Sequence, residues 1–188
     1  MNTETVLSVL VGVALAAACG FRVFVPMLVM SIASYTGHLS LSSGFEWTGS
    51  LPALIAFGVA TAFEIAGYYV PWVDHILDVI AAPAAVVAGI IAMASSVVGM
   101  SPFLQWTLAI IAGGGVAGLI QTFTGVTRLT STATTGGIGN PVVSTAEAGG
   151  SVTLSILAIV LPLVAVAIVL VVLPVAVRIL YKKFFQPA

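Results

Sequence analysis

Residues 128–141 read RLTSTATTGGIGNP, and this stretch decides how the chain folds. It combines one arginine with several hydroxyl side chains, three glycines, an asparagine and a proline, in a chain that is 60% hydrophobic and 6% charged. At membrane depth, irregular backbone survives only where protein or a wet cavity satisfies its N–H and C=O groups. We therefore expect the tract to be sheltered by surrounding helices.

The composition of the chain indicates a membrane protein. Soluble domains carry roughly 25% charged residues, about four times the share found here. Five apolar runs are long enough to cross, or nearly cross, a hydrocarbon layer of about 30 Å; they cover residues 5–23, 51–70, 79–100, 103–123 and 152–177. We predict an all-α integral membrane protein that forms a single polytopic domain over residues 1–188.

Charge and motifs argue against several classes of function. With a net charge of −1 and no basic stripe, no nucleic-acid partner is expected. The single cysteine, Cys19, excludes an internal disulfide or a multi-cysteine metal site, and we expect neither metal nor cofactor. HExxH and GxSxG are absent, and GGIGNP lacks the Lys-Ser/Thr of a phosphate-binding loop. We predict no enzyme activity, with a lipid-modifying enzyme the least favoured of the functions considered.

Cations near the end of the chain predict its orientation. Arg178, Lys182 and Lys183 follow the last apolar run, which favours a cytoplasmic C-terminus. The N-terminal residues carry only Glu4, so the N-terminus is expected outside.

A weak internal repeat relates residues 5–70 to residues 103–177, joined by a helix over 79–100. In it Arg22 corresponds to Arg128, and Glu46 corresponds to Glu147. Repeats of this kind are a common way to build transporters.

Segments 21–47 and 128–150 leave two folds open. As re-entrant or broken helices they give five full transmembrane helices plus two such segments, and each arginine lies beside the glutamate of its own repeat. As crossing helices they give seven spans in a 3+1+3 arrangement, with all five cations on the cytoplasmic side. Arginine and glutamate would then lie some 24 Å apart along about 16 residues, so charge pairing favours the five-helix form. Pro26 is expected to interrupt the first segment.

The polar tract is chemically suited to bending. Threonine and serine hydroxyls can bond to carbonyls of their own backbone, and Gly136-Gly137 permits a tight reversal. Asn140-Pro141 is typical of a helix N-cap followed by proline at the first helical position.

Ionisable residues inside a membrane are candidates for function. Arg22 and Arg128 could bind an anion such as phosphate or carboxylate, or each could only pair with the glutamate of its own repeat, Arg22 with Glu46 and Arg128 with Glu147. Glu64 has no cation within one helical turn, so it is a candidate for proton coupling or for bonding to a neighbouring helix. The other candidate contacts of a substrate are Thr130, Thr132, Thr134, Thr135, Gly136, Gly137 and Asn140. Asp74 and Asp78 are interpreted as acidic residues at the start of a helix.

These residues favour a small transporter or channel for an anionic solute or lipid phosphate, with a path between segments 21–47 and 128–150. The alternative is a non-transporting accessory subunit or scaffold. The expected partners are membrane lipids, an anionic solute or lipid substrate, and either copies of the same chain or a larger membrane complex.

Three stretches carry a resemblance to a known family. ACGFRVFVP (18–26), GFEWTGSLPALIAFGVATAFEIAGYYVPWVD (44–74) and TRLTSTATTGGIGNPVV (127–143) resemble bacterial membrane proteins of the domain-of-unknown-function 4126 (DUF4126) family. The resemblance covers nearly the whole chain and implies a small multi-span protein of the bacterial inner membrane. It implies no activity and no functional residues.

Overall fold

The computed structural model describes residues 2–70 and 73–185, except for the side chain of His75. Within these ranges the chain is helical and contains no strand. The helices are α1 (Thr3–Cys19), α2 (Phe24–Tyr35), α3 (Leu51–Gly67), α4 (Val73–Ser96), α5 (Pro102–Leu108), α6 (Gly115–Thr135), α7 (Asn140–Val160) and α8 (Pro162–Phe185), with a 3₁₀ turn at Glu46–Gly49 and a π-helical turn at Ala109–Gly114. The π-helical turn joins α5 to α6, so the described chain holds seven continuous helices.

Four of these helices are long and apolar enough to cross a membrane, and they confirm the predicted class of membrane protein. They contain the segments Ile76–Ser96, Pro102–Thr135, Asn140–Val160 and Pro162–Phe185. Helices α1, α2 and α3 are also apolar, but shorter.

Helix α1 lies at the centre of the bundle, where it packs against α2, α4, α6, α7 and α8. Its second half, LAAAC at residues 15–19, is fully buried. Small side chains let neighbouring helices approach closely. In lipid, which is as apolar as the helix surfaces, the hydrophobic effect does not drive helices together, so close packing of this kind stabilises their association. Gly20 continues this close packing, because a Cβ there would lie 2.6 Å from the Cβ of Ile120.

The polar tract belongs to two long helices, which differs from the expected re-entrant segment. Residues 128–135 are the last two turns of α6, and α7 begins at Asn140. The hydroxyl of Thr134 donates to the carbonyl oxygen of Thr130 at 2.9 Å, so the predicted bonding to backbone carbonyls occurs within a regular helix. The predicted reversal is present, since Gly136 and Gly137 have φ of 65° and 91°.

The tip of this helical hairpin is exposed, so the prediction of a sheltered tract is wrong. Thr134, Thr135 and Gly136 are exposed, and Ile138 is 85% exposed. The reason is that α6 is long enough to carry its own last turn beyond the surrounding helices.

Segment 21–47 contains one short helix. Pro26 is the third residue of α2 and does not interrupt it, because proline is tolerated in the first turn of a helix. After α2, residues 36–45 are not helical, and the 3₁₀ turn leads into α3.

The apolar run 152–177 is divided between two helices, which also corrects the sequence analysis. Leu161 has a non-helical conformation (φ −139°, ψ 66°) at the end of α7, and Pro162 begins α8. Hydropathy gives no signal here because both sides of the boundary are equally apolar.

Contacts between helix ends show that successive helices alternate in direction. One end of the bundle contains the start of α1 and the end of α4, and we call it the N-terminal end. There the amide of Val98 donates to Ser8 Oγ at 3.2 Å, and the amide of Ser42 donates to the carbonyl oxygen of Ser95 at 2.8 Å. At the opposite end, the C-terminal end, Lys183 Nζ of α8 donates to Thr130 Oγ1 of α6 at 2.5 Å.

Candidate functional site

A cluster of buried charged and aromatic side chains lies about two turns inside the C-terminal end of the bundle. The turn between α1 and α2, the end of α3, the start of α4 and the facing parts of α6 and α7 contribute to it. We call it the arginine cluster; its members are Arg22, Glu64, Tyr68, Asp78, Arg128, Ser144 and Glu147.

Arg128 is held by two carboxylates. Its Nε donates to Glu147 Oε1 at 3.1 Å, and its Nη2 donates to the other oxygen of the same carboxylate, a bidentate arrangement. Its Nη1 donates to Asp78 Oδ1 at 2.9 Å. The predicted pairing of Arg128 with Glu147 is therefore present, and it ties α6 to α7 and α4.

Arg22 is more deeply buried and less well neutralised. Its side chain is 1% exposed, and its Nη2 lies 3.5 Å from Glu147 Oε2. The same nitrogen donates to the carbonyl oxygen and to the Oγ of Ser144, at 3.0 and 2.5 Å. The Nε and Nη1 atoms of Arg22 are buried and have no hydrogen-bond partner among the described residues.

The expected pairing of Arg22 with Glu46 is wrong. Glu46 lies at the start of the 3₁₀ turn, where its Oε2 accepts from the amide of Gly44 at 2.7 Å. Helix α2 carries the chain away from the turn that holds Arg22, and the non-helical residues 36–45 lie at the N-terminal end of the bundle, where the amide of Ser42 donates to the carbonyl oxygen of Ser95. This separates Glu46 from Arg22.

Tyr68 lies between the two arginines. The Cζ atoms of Arg22 and Arg128 are 3.8 and 3.9 Å from the centroid of its ring. Two guanidinium groups at this distance fit only on opposite faces of one ring, so the order is arginine, tyrosine, arginine. The ring thus separates two like charges and attracts both of them through its π faces.

Glu64 binds the first turn of a neighbouring helix. Its Oε1 and Oε2 accept from the amides of Val23 and Phe24, at 2.7 and 3.0 Å. A carboxylate at the positive end of a helix is stabilised by the unpaired amides of the first turn. Of the two expectations for Glu64, bonding to a neighbouring helix is present, and proton coupling stays a prediction.

A second polar contact closes the C-terminal end of the bundle. The side-chain nitrogen of Asn140 donates to Asp74 Oδ2 at 3.3 Å and to Thr132 Oγ1 at 3.0 Å. Asn140 therefore bridges α4 and α6; the residue before α7 is Gly139, so Asn140 is not the N-cap. Pro141 lies in the first turn of α7 as predicted.

The family of the chain follows from its sequence as a whole. Residues 9–182 match the family model described as Domain of unknown function (DUF4126), and this range extends from within α1 to within α8. The chain is a member of the DUF4126 family. Neither the curated proteins nor the solved structures contain a match to it.

In this DUF4126 protein the predicted substrate contacts divide into two groups. Arg22 and Arg128 are brought together, and segments 21–47 and 128–150 meet where Arg22 contacts Ser144. The remaining hydroxyl and glycine candidates form the end of the hairpin: Thr130, Thr134, Thr135 and Gly136 are exposed, Thr132 and Gly137 are partly buried, and Asn140 is buried.

Three members of the arginine cluster carry little signal in the amino-acid sequence. Tyr68 lies near the end of the apolar run 51–70, where an ordinary interfacial aromatic residue would also lie, and Ser144 is one of many hydroxyl residues in its segment. Asp78 was interpreted as part of a helix start; α4 does begin at Val73, but Asp78 also pairs with Arg128. Its position one turn after Asp74 was the only signal that both carboxylates share a face.

Proposed function

We propose that the protein is a small membrane transporter or channel for an anionic solute or a lipid phosphate, with Arg22 as the principal contact for the negative group. The observation that carries the proposal is the pair of unpartnered nitrogens on Arg22, whose side chain is 1% exposed. Buried donors without a partner are costly and call for an explanation, such as a bound ligand or ordered water. Phosphate and carboxylate oxygens are the strongest acceptors for a guanidinium group.

The charge distribution assigns different roles to the two arginines. Arg128 is neutralised by Glu147 and Asp78, so it holds helices together. Arg22 shares Glu147 only through a contact of 3.5 Å, and two of its nitrogens have no hydrogen-bond partner among the described residues. Glu64, Tyr68 and Ser144 hold the turn that carries Arg22 in place.

The alternating helices support an arrangement in which all seven cross the bacterial inner membrane, with the N-terminus outside and the C-terminus in the cytoplasm. Arg178, Lys182 and Lys183 then lie on the cytoplasmic side, as the distribution of positive charge in membrane proteins favours. The arrangement is tested with Ile138→Cys and Ser101→Cys in a Cys19-free protein and a thiol reagent that does not cross membranes. The reagent should label position 138 from the cytoplasmic side and position 101 from outside. The reverse pattern would invert the orientation, and labelling of both positions from one side would exclude the crossing arrangement.

The function is tested by flux through proteoliposomes of phosphatidylcholine. Two probes represent the two sources of negative charge: radiolabelled inorganic phosphate, and fluorescent phosphatidic acid whose movement between leaflets is followed by dithionite quenching. We expect the protein to move at least one of them, and Arg22→Gln to lower the rate at least tenfold. Arg178→Gln is the matched control because it removes an equal charge from an exposed position; it should leave the rate unchanged.

Two results would argue against this function. Unchanged flux after Arg22→Ala combined with Arg128→Ala would remove the anion role of the cluster. No flux of either probe, together with co-purification of the protein in a larger complex, would favour the accessory subunit or scaffold instead.

A further inference from the structure

An apolar crevice runs between α3 and α4 and ends at the arginine cluster. Its lower part is a cavity of about 210 Å³, bordered by Glu64, Tyr68 and Leu77. Its upper part is a cavity of about 420 Å³, bordered by Met27, Trp47 and Phe57. Both parts are lined by Val23, Phe24, Ile80 and Ala84, so they adjoin each other along the same side of the bundle.

The crevice exists because α3 and α4 touch mainly where they join. Near this junction Leu77 lies against Gly67, where no side chain keeps it away. Further along, α3 packs on α2 rather than on α4. The rims of the crevice are exposed at Phe63, Ile80 and Val87, so it opens sideways on the surface of the bundle rather than toward either end.

Its chemistry suits a hydrocarbon chain. The upper part is lined only by apolar side chains, and an apolar space that opens toward the bilayer core has lipid, not water, as its neighbour. From Tyr68 to Phe57 along α3 is 11 residues, a rise of roughly 16 Å. The hydrocarbon layer of one leaflet is about half of 30 Å, so the crevice has about the length of one acyl chain.

The positive charge of Arg22, beside the lower cavity of the crevice, favours an anionic head group. Val23 and Phe24, which line both cavities, directly follow Arg22, and Tyr68 stacks on the Arg22 guanidinium. The carboxylate of Glu64 also borders the lower cavity, but it is engaged by two amides at the positive end of α2. Arg22, with its two unpartnered nitrogens, is therefore the charge in this region that still lacks acceptors.

We propose that the crevice holds an acyl chain of an anionic phospholipid from the cytoplasmic leaflet, with the phosphate of its head group on Arg22. This inference rests on the proposed function and narrows it, because it makes the substrate of the arginine cluster a phosphate-bearing lipid rather than a soluble anion. The tail enters sideways between α3 and α4, while the head group approaches from the C-terminal end of the bundle.

The test uses proteoliposomes of phosphatidylcholine that contain a small fraction of phosphatidic acid with a diazirine at the end of one acyl chain. The same diazirine on phosphatidylcholine provides the comparison of head groups. After illumination, the labelled residues are mapped by mass spectrometry. We expect labels at Trp47, Phe57 and Val87, at least fivefold more from phosphatidic acid than from phosphatidylcholine.

Three variants decide the outcome. Ala84→Phe fills the crevice and should lower this labelling at least fivefold. Ala82→Phe adds the same ring to an exposed position of α4 outside both cavities, and labelling should be unchanged. Arg22→Gln should keep the labelling but abolish the preference for phosphatidic acid over phosphatidylcholine. This variant tests the inference even where Ala84→Phe fails to fold.

Each contrary result has a distinct meaning. Equal labelling from both lipids, or labelling that Ala84→Phe leaves intact, would show ordinary boundary lipid and overturn the inference. Arg22-dependent flux of inorganic phosphate that Ala84→Phe does not change would also overturn it, while leaving the anion transport proposed above standing.

Discussion

Arg22 and Arg128 stack on the same tyrosine and contact the same glutamate, but their surroundings differ. Arg128 lies within α6 and uses all three of its nitrogens on the carboxylates of Glu147 and Asp78. Arg22 lies in a turn, uses one nitrogen, and leaves two buried without a partner. A buried charge that is fully paired belongs to the framework of a protein, whereas one that is partly paired is available for a ligand.

The two arginines, which correspond in the predicted repeat, also differ in their pairing with glutamate. Each arginine was expected to pair with a glutamate of its own half, and only Arg128 does so. Arg22 bonds across the bundle to Ser144, 122 residues away in the sequence. The two halves therefore meet at Glu147, which makes a single cluster from two segments.

The largest expected effect is the loss of stability in Arg128→Leu. Removing one partner of a buried ion pair leaves an uncompensated charge, which costs about 3–5 kcal/mol. Here Asp78 loses its ion pair with Arg128, and Glu147 keeps only the 3.5 Å contact with Arg22. Arg22→Leu should cost less, about 1–2 kcal/mol, because the loss of the bonds to Ser144, of the 3.5 Å contact with Glu147 and of the stacking on Tyr68 is offset by the removal of two unsatisfied buried donors. The free energy of unfolding is measured by SDS titration in mixed micelles.

Arg178→Leu is the control for the loss of a cation, since Arg178 is exposed on α8; a change within about 0.5 kcal/mol is expected. Equal losses for Arg128→Leu and Arg22→Leu would contradict the division into a structural and a ligand-binding arginine.

Hydropathy predicted the class of the protein but not all of its helix boundaries. The boundary between α7 and α8 lies inside one apolar run, and only Pro162 marks it, because proline is favoured in the first turn of a helix. At the end of α6 the composition is misleading, because polar residues there suggest a boundary that the helix does not have. Threonine and serine in residues 130–135 indicate a break, yet bonds such as that of Thr135 Oγ1 to the carbonyl oxygen of Ser131 satisfy their hydroxyls inside the helix.

The candidate site was predictable only as far as single residues carry a signal. A charge in an apolar sequence is conspicuous, so Arg22, Arg128, Glu64 and Glu147 were identified. Their partners depend on which helices become neighbours, and one sequence does not specify that. Tyr68 shows this limit, because its two contacts come from α6 and from the turn after α1.

A smaller effect is expected for Tyr68, whose ring contacts both arginines. Tyr68→Leu removes two cation–π contacts and should lower the free energy of unfolding by about 2–3 kcal/mol, each contact contributing up to about 2 kcal/mol when desolvated. Tyr68→Phe keeps the ring over both arginines and removes only the hydroxyl, so it should cost no more than about 1 kcal/mol. Comparable losses in the same SDS titration would show that the hydroxyl, rather than the ring between the arginines, is what matters.

The smallest effect separates the two arginines most sharply. Ser144 Oγ accepts from Arg22 Nη2 and has no contact with Arg128 among the described hydrogen bonds, so Ser144→Ala should cost about 1 kcal/mol. Ser155→Ala is the matched control on the same helix: Ser155 is equally buried, but its hydroxyl donates only to the carbonyl oxygen of Ser151, a bond that adds little to helix stability. In a double-mutant cycle the effect of Ser144→Ala should vanish in the Arg22→Leu background and persist in the Arg128→Leu background. Additivity with Arg22→Leu would mean that the serine side chain acts through packing, and Arg22 would then be held by Glu147, Tyr68 and the backbone carbonyl oxygen of residue 144.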